Sequence, residues 1–117
     1  MRERDETVYV RHMLDAIDRV GQYLRGVDEE RFFADSMLQD ALIRQLEILG
    51  EAAGRISKET CQATPEIPWA RVTGTRHRLI HDYFDVDSDL VWTVVTRELD
   101  PLKPKLEALL RRLREEA

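Results

Sequence analysis

A chain of 117 residues, 43% hydrophobic and 35% charged with 5 Gly and 4 Pro, has the make-up of one compact, mostly helical domain over residues 1–117, and excludes a disordered one. The formal net charge of −5 argues against coating nucleic acid with the whole surface, because that mode needs a broad cationic face. The start is charged from Arg2, with no apolar signal-peptide core or later membrane-length run, and the lone Cys61 precludes an intramolecular disulfide, so a cytoplasmic protein without membrane contact is expected.

The first helix is predicted from Asp5 or Glu6 to about Arg25, with Val10, Leu14, Ile17, Val20 and Leu24 on one face and Gly26 as its stop. Asp35 or Ser36 can cap a second, long helix reaching roughly Cys61, with Phe32 and Phe33 stapling the entry. That helix is apolar on two sides: Leu38, Leu42, Leu49, Ala53 and Ile56 form one stripe, and Ala41, Ile48 and Ala52 another. A surface helix needs one stripe only, so the second implies either a partner subunit or a central place in the bundle. Gly50 and Gly54 each cost about 1 kcal/mol in an exposed helix and imply close approach of another helix.

"PEIPW" closes that element, and a third helix is expected from Trp69 through "WARVTGTRHRLIHDYF". Asp87 or Ser88 caps the next one, Pro101 restarts the chain, and Leu102, Leu106, Leu109, Leu110 and Leu113 form a final stripe. No strand alternation is evident, so the fold expected is all-α, a bundle of four to five helices.

From Arg71 to His81 the chain carries Arg71, Arg76, His77, Arg78 and His81 without an acidic residue, against the overall sign of the protein. Histidine, with an unperturbed pKa of about 6.5, can take and return a proton near neutrality, and arginine holds phosphate through a fixed charged fork. Arg76, His81 and Tyr83 therefore suit phosphodiester chemistry, above all in RNA, where the 2′-hydroxyl lies beside the scissile phosphate. On one straight helix, residues five apart point about 140° away from each other. Arg76 and His81 converge only if the helix ends near His81 or a second subunit completes the site.

Blander readings stand beside these. Arg76 and His81 can serve as a helix-terminal pair contacting carbonyls or Asp82, Asp85 and Asp87, and Tyr83 as an amphipathic core residue. His77 and His81 have zinc-like spacing, but "RLI" between them lacks a metalloprotease glutamate and no third ligand is apparent, so no metal is expected. Glu47 and Glu51 fit surface ion pairs with Arg44 and Arg55, with a place near a cleft as the alternative for Glu51.

The motif R-x-x-x-x-H-x-Y, here Arg76 to Tyr83 in "RHRLIHDY", resembles that of HEPN ribonucleases, specifically the HepT-like toxin family. "RQLEILGEAAGRIS", "PEIPWARVTGTRHRLIHDYFDVD", "VW" and "LDPLKPKLEALL" are similar to the family pattern in the same order, so the resemblance covers nearly the whole chain. It implies a HEPN-type helical homodimer whose two motifs face each other across a cleft and cleave RNA without a metal or other cofactor. It makes Arg76 and His81 the catalytic pair, with His77, Tyr83 and Glu51 supporting the motif. It makes Tyr83 the tyrosine that an MNT-type nucleotidyltransferase antitoxin modifies with AMP, which would fill the cleft and place negative charge where an RNA phosphate sits. The family commonly has asparagine after the arginine; here His77 also offers one donor and one acceptor. An alternative implied by that departure is an inactive module that binds nucleotide and its nucleotidyltransferase partner.

Overall fold

The structure, a computed structural model, describes residues 5–82 and 85–116. Helix α1 (Glu6–Tyr23) starts where the Asp5 side chain accepts from the Thr7 amide at 3.0 Å. Its buried face is Val10, Met13, Leu14, Ala16, Ile17 and Val20, the periodicity read in the sequence. Gly26, at φ 72, turns the chain in the left-handed region that L side chains disfavour. The short α2 (Glu29–Ala34) follows, buries Phe32 completely and leaves Phe33 exposed. Phe32 meets Phe33 edge-on at 4.9 Å and Trp92 at 5.0 Å between ring centroids, so the expected staple is made by one of the two phenylalanines.

Helix α3 (Ser36–Ala53) is capped by Asp35 and is shorter than its apolar pattern implied. It stops at Gly54, and the chain turns through Arg55 and Ile56 before a separate α4 (Lys58–Ala63), which Ser57 caps by accepting from the Thr60 amide. Glu6 fixes this break: its carboxylate accepts from the Ser57 amide and, at 2.7 Å, from the Thr60 hydroxyl. A cap residue and a long-range carboxylate together outweigh the propensity to continue.

Helix α3 occupies the middle of the bundle, with α1 along one side and the following segments along the other. Its second apolar stripe is consequently used largely within the chain: Ala52 is buried, and Ala41 and Ile48 are half-buried. Gly50 shows why a small residue is needed, since a Cβ there would lie 3.2 Å from the Val72 carbonyl oxygen.

The expected third helix is in fact two short ones, α5 (Trp69–Thr73) and α6 (Thr75–Leu79), meeting at Gly74. Ile80 is extended, at φ −117 and ψ 107, and opens a small antiparallel ribbon of β1 (Ile80–Asp82) and β2 (Asp85–Val86). Ile80 faces Val86 and Asp82 faces Asp85. This ribbon was not legible as strand alternation because it is too short to show a period of two. Tyr83 and Phe84 lie outside the described residues.

After α7 (Ser88–Thr93), capped by Asp87, the helical path continues through a π-helical turn (Val94–Glu98) into α8 (Leu99–Glu116). Pro101 therefore does not restart the chain. Pro101 has no N–H, and the residue four before it, Arg97, lies in the wider π-helical turn, which relaxes the pattern where the ring would clash; Pro104 lies inside α8. Leu99, Leu102, Leu106, Leu109 and Leu110 are buried, and α8 closes on α1. Among the described residues, the buried apolar ones form one cluster within an all-α fold. Among the described residues no helix is long and apolar enough to cross a membrane.

Candidate active site

The cationic island is divided by the geometry of α5, α6 and β1. Thr75 and Leu79, one turn apart, are buried and seat α6 on the core, and Thr75 also donates to the Arg71 carbonyl at 3.1 Å. Seating these two turns Arg76 and His77 outward, where both are exposed, and leaves Arg78 half-buried on the other flank.

On that flank Glu98, at the end of the π-helical turn, receives both neighbouring arginines. Arg71 donates from Nε at 3.2 Å and Nη2 at 2.9 Å, and Arg78 from Nη1 at 3.2 Å and Nη2 at 3.1 Å. The hydrogen bond from Arg71 holds the Glu98 carboxyl down at about 2; partial burial opposes the shift and Arg78 adds to it. Two members of the island are thus committed to a carboxylate and tie α5 and α6 to the last long helical run.

On the outward flank Arg76 Nε donates to Glu47 Oε2 of α3 at 3.1 Å. The pairing differs from the expectation that Glu47 would meet Arg44 on its own helix. Glu51 is exposed and, together with Glu47, Gly50, Gly54, Arg55, Thr73 and Arg76, lines an open depression between α3 and α5–α6. His81 lies beyond the helix end, exposed on β1. One of the two expected conditions, a helix end near His81, is met at Leu79, where the Ile80 amide makes a last bond back to the Arg76 carbonyl. His77 and His81 consequently do not share a helix face, and the premise of the zinc-like spacing fails. Among the described residues no group of three or more His, Cys, Asp or Glu is placed to hold a metal ion.

The structure therefore brings Arg76 and Glu51 to one depression and places His81 on the ribbon that follows. Sequence reasoning named Glu47 but not Arg76 as its partner, and it missed Glu98, the hub of the inner flank. The two glutamates lie 29 and 20 to 27 positions from the arginines they meet, and no local pattern joins groups so far apart. Burial, and then Glu6, push the Cys61 thiol up, which disfavours a reactive thiolate there.

Comparison with known proteins gives a consistent result. A family model described as "Ribonuclease HepT-like" matches residues 13–109. The chain is 36% identical over 107 residues to "Probable ribonuclease HepT" of Thermococcus cleftensis, covering 92% of this chain and 97% of that protein. It is 31% identical over 104 residues to "Putative RNase TTE0752" of Caldanaerobacter subterraneus, covering 89% and 93%. It is also 34% identical over 110 residues to "Gamma-glutamylcyclotransferase and putative RNase MJ0434" of Methanocaldococcus jannaschii, covering 94% of this chain but 50% of that protein, so it spans about half of that relative. No solved structure matches the chain significantly. With a family match over most of its length and relatives above 30% identity along nearly all of it, the chain belongs to the HepT-like ribonuclease family, with its all-α HEPN fold.

Proposed function

We propose that the protein is a metal-independent endoribonuclease toxin that cuts RNA, transfer RNA among the candidates, in a cleft between two copies of the chain. The observation that carries this reading is the end of α6 at Leu79, which leaves Arg76 on a helix and His81 on the strand after it, both exposed, in a chain of this family. His81 takes the proton of the 2′-hydroxyl as the 2′-oxygen bonds to phosphorus and the bond from phosphorus to the 5′-oxygen breaks. The departing 5′-oxygen receives a proton from His81 of the second copy, leaving a cyclic phosphate on one product and a free hydroxyl on the other. Arg76 stabilises the charge that gathers on the phosphoryl oxygens. His77 follows Arg76 on α6, and Glu51 lines the same depression as Arg76.

Tyr83, two residues past His81, is the site at which a partner nucleotidyltransferase of the MNT type attaches AMP and silences the enzyme. The adenylate brings a negative phosphate to the place the RNA phosphate would take, so both bulk and charge oppose substrate.

The test is cleavage of total or transfer RNA by purified protein in excess chelator, with the intact mass measured first to show whether Tyr83 carries AMP. Unmodified wild type should cleave and leave cyclic phosphate ends, and His81→Ala should lose about 10²–10⁴-fold in rate without loss of helical signal. Unmodified wild type that leaves RNA intact would overturn the nuclease reading in favour of a binding module, and a monomer in light scattering would overturn the shared cleft.

A further inference from the structure

We propose that Glu47 is a positioning residue for Arg76, holding the guanidinium by Nε so that its two terminal nitrogens face the scissile phosphate. This rests on the ribonuclease reading above. The carboxylate is the sheltered member of the pair, with its side chain 25% exposed against 68% for Arg76, so the anchored end is Glu47 and the end reaching toward solvent is the arginine. Among the described residues, Arg71 gives Nε and Nη2 and Arg78 both Nη atoms to Glu98, whereas Arg76 gives Nε alone to a carboxylate. A guanidinium offers its donors in a rigid fork, so fixing Nε also fixes the direction of the Nη1–Nη2 edge, the edge that grips two phosphate oxygens.

The backbone explains how Glu47 comes within reach. Gly50, one turn further along α3, has no Cβ to keep the Val72 carbonyl away, since a Cβ there would sit 3.2 Å from that oxygen. This close approach sets α3 against the end of α5, and Thr73, Arg76, Glu47 and Gly50 line one depression as a result. An ion pair this exposed adds little to stability, so its consequence lies in ordering a long flexible side chain before substrate arrives.

The experiment compares wild type, Glu47→Ala and Glu47→Gln in RNA cleavage and in the NMR signal of the Arg76 Nε–H, assigned through Arg76→Lys. Glu47→Ala should lower kcat/KM about 10-fold, mostly through kcat, and the Nε–H signal should move or vanish while the melting temperature stays put. Glu47→Gln keeps an acceptor oxygen, so it should recover most of the rate and retain the signal. Glu47→Ala cleaving like wild type, or its Nε–H signal matching wild type, would overturn the proposal. An inactive, unmodified wild type sinks the nuclease reading together with the positioning role, and the Nε–H signal then still shows whether Glu47 holds Arg76.

Discussion

Arg71 and Arg78 belong to the same short stretch of chain as Arg76, and all three meet a glutamate, yet the two flanks they form differ in kind. On the inner flank one carboxylate takes four hydrogen bonds from two arginines, and its pKa falls to about 2. On the outer flank, among the described residues, one carboxylate takes a single bond from an arginine that is 68% exposed, against 57% for Arg71 and 22% for Arg78. The inner flank joins α5 and α6 to the helical run that ends in α8, whereas the outer one keeps its arginine exposed at an open depression. The contrast teaches that charge of one sign along a sequence is not one patch: helix phase sorts it into a flank tied up with one carboxylate and a flank turned toward solvent.

The strongest way to break this comparison is to truncate one arginine from each flank. Arg76→Ala should lower the RNA cleavage rate about 10²–10³-fold and leave thermal stability within about 0.5 kcal/mol. Arg78→Ala should do the reverse, keeping most of the rate at low temperature but removing about 1 kcal/mol of stability, read as a melting point about 3–6 °C lower. If the two variants lose activity equally while both remain folded, the division fails.

Gly50→Val acts on the packing under the outer flank. The added branches meet the Val72 carbonyl at a contact already tight for a Cβ, so unfolding in urea should show a loss of about 1–3 kcal/mol. An unchanged midpoint would mean that α3 and α5 can separate without cost.

The smallest effect is an acid titration of stability. Glu98 has its pKa lowered from 4.5 to about 2 in the folded protein, so its contribution is fully present above the unfolded value and fades as pH falls from about 5 toward 2. Partial exposure limits that contribution to about 1 kcal/mol. Glu98→Gln should be less stable than wild type at pH 7, and the gap should narrow as pH approaches 2. A gap that stays constant with pH would show that the inner flank is held by shape rather than charge.

The helices were legible to different degrees, for identifiable reasons. In α1 and α8, apolar residues recur at helical spacing around a single core, so the buried sets Val10, Leu14, Ile17 and Val20, and Leu102, Leu106, Leu109 and Leu110, could be read directly. In α3 the same reading ran past Gly54, because the apolar pattern continues to Ile56 while the backbone is stopped by Ser57 and by Glu6 from the far end of the chain. Pro101 misled for the opposite reason, since a local rule about proline could not anticipate a π-helical turn upstream.

The candidate site divides along the same line. Composition and periodicity determined by themselves that the chain is all-α and that its cationic residues concentrate at Arg71 to His81, and the R-x-x-x-x-H-x-Y motif together with its flanking blocks carried the family resemblance. The spacing also carried the statement that Arg76 and His81 needed either a helix end or a second subunit to meet. Only the tertiary structure decided that the end falls at Leu79, that Glu47 rather than Glu51 takes Arg76, and that Arg71 and Arg78 are committed to Glu98. Periodicity and caps act between neighbours and leave their mark in a local string. Ion pairs across 20 to 29 residues follow from how helices dock, which no local string records.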